Sequence, residues 1–143
     1  MASSTTRAPP FFLPSMIMLS LLLLLLLASF SHADSAAPNT VVCSEHVYSD
    51  DAPFAVSVAE VLKELVWVTP WGGGHDLYQS LPSEAPIAYG HAVCRPGLIG
   101  VDCKSCLGYA VTQVQQVCGH SLGGRAAMGD DCSVRYENYA FRD

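Results

Sequence analysis

Six cysteines, Cys43, Cys94, Cys103, Cys106, Cys118 and Cys132, constrain this chain more than any other feature. An even set in a short exported chain reads as a disulfide framework, and the count alone leaves every pairing open. Closing one long loop contributes about 4 kcal/mol in the chain-entropy model. That matters in a small domain, which buries only about two-thirds of its unfolded surface. Zinc is the rival use, because Cys103-Lys104-Ser105-Cys106 is a CxxC with His91 and His120 nearby in sequence. No second CxxC accompanies it, so disulfides are the preferred reading.

Export is written in the first 33 residues. Arg7 is the one charge before Ser15, and Met16 to Leu27 is almost unbroken hydrocarbon, with seven leucines from Leu21 to Leu27. Ser31-His32-Ala33 then offers small residues at the positions a signal peptidase reads, so 1–33 is expected to be a signal peptide cleaved after Ala33. A membrane anchor needs about 20 apolar residues and no cleavage-like end. No later run reaches spanning length, so the mature chain is expected to be free of a membrane span. Residues 34–40 read as a flexible leader and 41–143 as one domain.

Losing Arg7 takes the net charge from −6 to −7, because all 13 acids follow Ala33. So acidic a chain lacks the basic patch of a nucleic-acid binder. Its attraction to anionic membranes is equally weak, which makes cationic lysis a poor explanation for any harm to a microbe.

The spacing of apolar residues predicts two helices. Ser49-Asp50-Asp51 ahead of Pro53 supplies a capping acid and a first-turn proline. Phe54, Val58, Val61, Leu62 and Leu65 then mark the buried side of a helix to about Trp67, with Ser57, Glu60, Lys63 and Glu64 opposite. Pro70 and Gly72-Gly73-Gly74 end it. In the second helix, capped by Asp102, the stripe is Cys103, Cys106, Leu107, Ala110, Val111, Val114, Val117 and Cys118, and Gly119 terminates it. Strand signals lie at Val41–Cys43, at Ile87–Val93, and at 132–137, where a turn at Gly129-Asp130-Asp131 folds residues 125–128 back onto the strand. Two helices on an antiparallel sheet make a two-layer α+β fold.

Gly119-His120-Ser121-Leu122-Gly123 matches the G-x-S-x-G elbow of serine hydrolases, which makes Ser121 a candidate nucleophile. The elbow needs a strand before its serine and a histidine after it. Here a helix precedes Ser121 and none of the five histidines follows it. Hydrolysis is therefore the remote alternative, and no enzyme activity, cofactor or metal is expected. His46 and His75 have no partner at ligand or dyad spacing and read as exposed loop residues.

Cys94 through Cys106 has the spacing C-x8-C-x2-C, following Ala88-Tyr89-Gly90 and preceding Cys118 and Cys132-Ser133-Val134-Arg135-Tyr136-Glu137. In this the chain resembles the plant ginkbilobin-type domain, also called the salt-stress response/antifungal or cysteine-rich secretory repeat domain, from about Val42 to Phe141. The resemblance implies a five-stranded antiparallel sheet under the two helices. It also implies the disulfides Cys43–Cys118, Cys94–Cys103 and Cys106–Cys132. Single-domain members bind mannose through an asparagine after the first cysteine, an arginine after the fifth and a glutamate after the sixth. Arg125 and Glu137 match, and Ser44 stands at the asparagine position.

A fixed guanidinium and a carboxylate suit adjacent sugar hydroxyls, which both donate and accept. The bland alternative is a surface ion pair between Arg125 and Glu137 across the C-terminal hairpin, worth about 0–1 kcal/mol. The expected function is that of a secreted, apoplastic defence lectin with antifungal activity, its partners the mannose-type glycans of fungal walls. The alternative is an interaction module that has lost sugar binding through Ser44 and docks on a cell-surface protein.

Overall fold

The computed structural model describes residues 18–22, 38–49, 52–84 and 86–143. Residues 18–22 are helical, and among the described residues no helix is long and apolar enough to cross a membrane. The expected cleavage point after Ala33, and most of the expected leader, lie outside the described residues. Thr40, expected in that leader, already belongs to a strand.

Five strands, β1 (Thr40–Cys43), β2 (Asp76–Leu81), β3 (Ala88–Cys94), β4 (Gly123–Met128) and β5 (Cys132–Glu137), form one antiparallel sheet in the order β1-β4-β5-β3-β2. Helices α1 (Pro53–Val68) and α2 (Gly100–Cys118) cover one face, as the α+β expectation requires. β2 carried no signal recognised in the sequence. Its Leu77 and Leu81 pack on the core, but Asp76, Gln79 and Ser80 make it polar overall.

α1 opens on Pro53 at its first turn, with Ala52 at the N-cap and no capping side chain. The capping acid expected at Asp50 or Asp51 falls outside the described residues. Val61, Leu62 and Leu65 are fully buried. Ser57, expected on the outer side, is instead buried, and its hydroxyl donates to the Pro86 carbonyl at 2.6 Å. That bond satisfies a polar group that would be costly to bury alone.

α2 begins at Gly100 with Ile99 at its N-cap, so Asp102 sits inside the first turn. Its charge there favours the helix through the dipole rather than through a cap. Cys103, Leu107, Ala110, Val114 and Cys118 are buried, whereas Val117, expected on that stripe, faces solvent. Gly119 ends the helix at φ 45°, a conformation that glycine adopts without the clash a side chain brings.

Close layer packing explains why β3 turns its small residues inward. Ala88, Gly90 and Ala92 face the helices, and a Cβ at Gly90 would meet Leu65 Cδ1 at 2.8 Å and Val61 Cγ2 at 3.0 Å. Tyr89, His91 and Val93 consequently stand on the open face of the sheet. The disulfides join Cys43 to Cys118, Cys94 to Cys103 and Cys106 to Cys132. They tie β1 to the end of α2, close the loop leading into α2, and pin α2 to β5. Both CxxC cysteines are thus engaged, in separate bridges, and their thiolates are not offered to zinc.

Candidate functional site

β1, β4 and β5 bring Ser44, Arg125 and Glu137 to the open face. Arg125 lies opposite Val42 on one side and Arg135 on the other, and Gly123 lies opposite Glu137. Ser44 follows β1, and its amide donates to the Gly123 carbonyl at 2.8 Å. The three residues line one cavity of 690 Å³ together with His46, Gly123 and Arg135.

Glu137 is oriented from two sides. Arg135 Nε donates to its Oε1 at 3.0 Å. Its carboxylate then lies across β4 in the space a side chain at Gly123 would take: a Cβ there would stand 2.6 Å from the carboxyl carbon, with Oε2 nearer still. Glu137 lines the cavity, and its carboxylate keeps acceptor capacity beyond the bond from Arg135. The Arg125–Glu137 ion pair weighed above is not what forms, since the carboxylate pairs with Arg135. Among the described residues Arg125 makes no ion pair and remains exposed.

Arg125 and Arg135 face each other across the strands, and like charges so placed repel. The repulsion is offset at Arg135, which contacts Glu137 and, through Nη1, Asp143. Burial works against its charge, but hydrogen bonds to both carboxylates and their attraction outweigh this, so its guanidinium holds its proton more firmly than usual. Ser44 Oγ accepts from the His46 amide at 3.2 Å, which leaves its hydroxyl proton to donate.

A second cluster adjoins the first. The last residues fold back over the open face, where the Arg135 guanidinium lies 4.1 Å from the Phe141 ring centre. Asp143 bridges Arg135 and the buried His91, whose Nδ1 is 2.8 Å from Asp143 Oδ2. His91 Nε2 faces Asp76 at 2.9 Å. Tyr78 stacks on His91 at 3.9 Å and its hydroxyl accepts from the Asp143 amide at 2.9 Å. Sequence reasoning named Arg135 only as a member of a strand pattern and His91 as a strand residue near the rejected zinc motif, and missed Asp143 as a contributor. Strand alternation does place Arg135 beside Glu137, whereas nothing local marks Asp143.

Ser121 lies between the end of α2 and the start of β4, the reverse of the strand-to-helix order of a nucleophile elbow. It is buried and bridges Val47, and its carbonyl accepts from the Tyr136 hydroxyl at 3.0 Å. Burial, then Tyr48 and Glu137, push the Tyr136 phenol well above its ordinary value, which keeps it a neutral donor. His46 is exposed at the cavity rim, but His75, expected to be exposed, is half-buried at φ 51°.

A family model described as Salt stress response/antifungal matches residues 42–139. The chain belongs to that family. Its curated relatives include an antifungal ginkbilobin-like protein of Picea abies, 30% identical over 111 residues, with 73% of this chain and 100% of the relative covered. Antifungal protein ginkbilobin-2 of Ginkgo biloba is 29% identical over 101 residues, covering 69% of this chain and 74% of the relative. Among solved structures, the tandem DUF26 ectodomain of the Arabidopsis thaliana cysteine-rich receptor-like protein PDLP5 matches with a TM-score of 0.65 at 27% identity, over 71% of this chain. The chain spans 50% of that ectodomain's length. The family match runs from Val42 to Tyr139, so every residue lining the 690 Å³ cavity lies inside it.

Proposed function

We propose that this protein is a secreted plant defence protein that binds mannose-type glycans of fungal walls without catalysis. The observation that carries this reading is the convergence of Ser44, Arg125 and Glu137 on one cavity, with Glu137 already oriented by Arg135 and Gly123. An exposed guanidinium with no ion pair among the described residues and a carboxylate held by Arg135 give a donor and an acceptor for neighbouring hydroxyls. Preorganisation of this kind lowers the ordering cost of binding. The antifungal names of the family's curated members support the biological side of the reading.

Calorimetric titration with mannose and with mannan tests it. Saturable binding that disappears in Arg125→Ala is the expected result. Heat-silent titrations with both ligands, or binding that Arg125→Ala leaves intact, would overturn it. Ser44 motivates the second reading, a module that docks on a cell-surface protein, because its short hydroxyl stands where an asparagine amide would reach further and both donate and accept. Capture of wall proteins with no dependence on glycan would favour that module.

A further inference from the structure

The candidate cavity does not stop at Glu137. One line of paired residues runs across all five strands: the Ser44 amide meets Gly123, Gly123 lies opposite Glu137, Glu137 opposite Tyr89, and Tyr89 opposite Ser80. Three concavities adjoin this line where the strands end, the middle one reaching past it to Phe54 of α1 and to Pro86 and Ile87. The 690 Å³ cavity shares Leu122 and Asn138 with a second of 420 Å³, which in turn shares Tyr89 with a third of 440 Å³. The third is walled by Tyr78, Ser80 and Tyr89 on the sheet and by Phe141 and Arg142 on the returning chain.

We infer that these three concavities are successive subsites for one linear oligosaccharide, which crosses the sheet from Ser44 beside β1 to Ser80 on β2. The inference rests on the glycan-binding reading above and deepens it. Chemistry along the line suits a chain of sugar rings. Hydroxyl edges meet the Glu137 carboxylate, the Asn138 amide and the Ser80 hydroxyl. C–H faces meet the rings of Tyr89 and Phe141, aromatic groups that offer an apolar face to a ligand and whose kind lines many such sites.

Length and charge narrow the ligand. Four inter-strand spacings amount to about 19 Å, roughly the reach of three to four linked pyranose rings. Arg135 is neutralised by Glu137 and Asp143, and Arg142 lies 4.2 Å from the Tyr78 ring centre, on the face that His91 leaves open. Arg125 and Arg142 make no ion pair among the described residues, so along the line three guanidiniums stand against the two carboxylates of Glu137 and Asp143, a net charge near +1. That balance suits a neutral glycan better than a polyanionic one. A peptide strand is a poorer fit, because the line runs across the strands, where interior backbone groups are already paired.

Titration of the oxidised protein with mannose and with linear manno-oligosaccharides of two to six residues tests this. Affinity is expected to climb at least tenfold between one and four residues and then level off. In Tyr89→Ala, and separately in Ser80→Arg, the tetrasaccharide should bind no better than mannose binds the parent protein. Ser80 is exposed on an edge strand, so its variant tests the line even if Tyr89→Ala loosens β3. Mannose binding with no climb, or a climb that survives in both variants, would overturn the extended line and leave the mannose reading standing. Silence toward every sugar, mannose included, would end both.

Discussion

Arg135 holds Glu137 across a single intervening residue of β5, its Nε 3.0 Å from Glu137 Oε1, and the same guanidinium reaches Asp143 through Nη1. One cation thus aims the carboxylate of the candidate site and anchors the returning end of the chain. Arg125 and Glu137, the two charged positions that the family resemblance implies, are joined by a third residue that stands directly opposite one and two residues before the other.

Replacing Arg135 should therefore damage binding and stability together. Arg135→Met leaves Glu137, 14% exposed, without its partner, and a poorly solvated unpaired group costs about 1–3 kcal/mol. Denaturant unfolding should show a loss in that range, and mannose affinity should fall by about tenfold or more. An unchanged affinity would show that Glu137 needs no such support.

Gly123→Ala should separate the two effects. The added Cβ would collide with the Glu137 carboxylate, which is the movable end of a side chain rather than backbone. Stability should stay within about 1 kcal/mol, because relief by the side chain and the gain from a stiffer unfolded chain offset each other. Sugar binding should be lost. Retained binding with a displaced carboxylate would remove Glu137 from the site.

The returning chain should release in acid. Burial disfavours the Asp143 charge, but hydrogen bonds from His91 and Arg135 and the attraction of both outweigh it, so its pKa lies below the ordinary 3.8. A carboxylate with a lowered folded value contributes fully above its unfolded value and loses that contribution as pH falls through the folded one. The amide signal of Asp143, bonded to the Tyr78 hydroxyl, should hold steady above about pH 4 and shift below it. Asp143→Asn should abolish the transition.

The longest staple should be the most costly to remove. Cys43 and Cys118 are 75 residues apart, which corresponds to about 4–5 kcal/mol in the loop-closure model. A Cys43→Ser, Cys118→Ser double variant should lose about that much in urea unfolding, and Cys94→Ser with Cys103→Ser, only 9 residues apart, about 2–3 kcal/mol.

Much of the fold is legible because its periods are clean. Phe54 through Leu65 and Cys103 through Cys118 repeat at helical spacing, and the glycines at 72–74 and 119 punctuate them. β2 is illegible for the opposite reason: its inward leucines, Leu77 and Leu81, are separated by Gln79, and three polar residues dilute the pattern. Disulfide pairing was not readable from spacing at all and entered through the family resemblance. Arg125 and Glu137 entered the same way, whereas Arg135 needed the strand register and Asp143 needed the chain's path over the open face, which no local period encodes.

Ser44 directly follows Cys43, so the wall of the candidate cavity and the anchor of the longest disulfide are consecutive residues at the end of an edge strand. Opening this one bridge would free the end of that strand, while Cys94–Cys103 and Cys106–Cys132 would still tie β3 and β5 to α2. If the proposed sugar site is correct, its first wall takes shape only when the first and fifth cysteines meet, which makes ligand binding a test of correct oxidation as well as of folding.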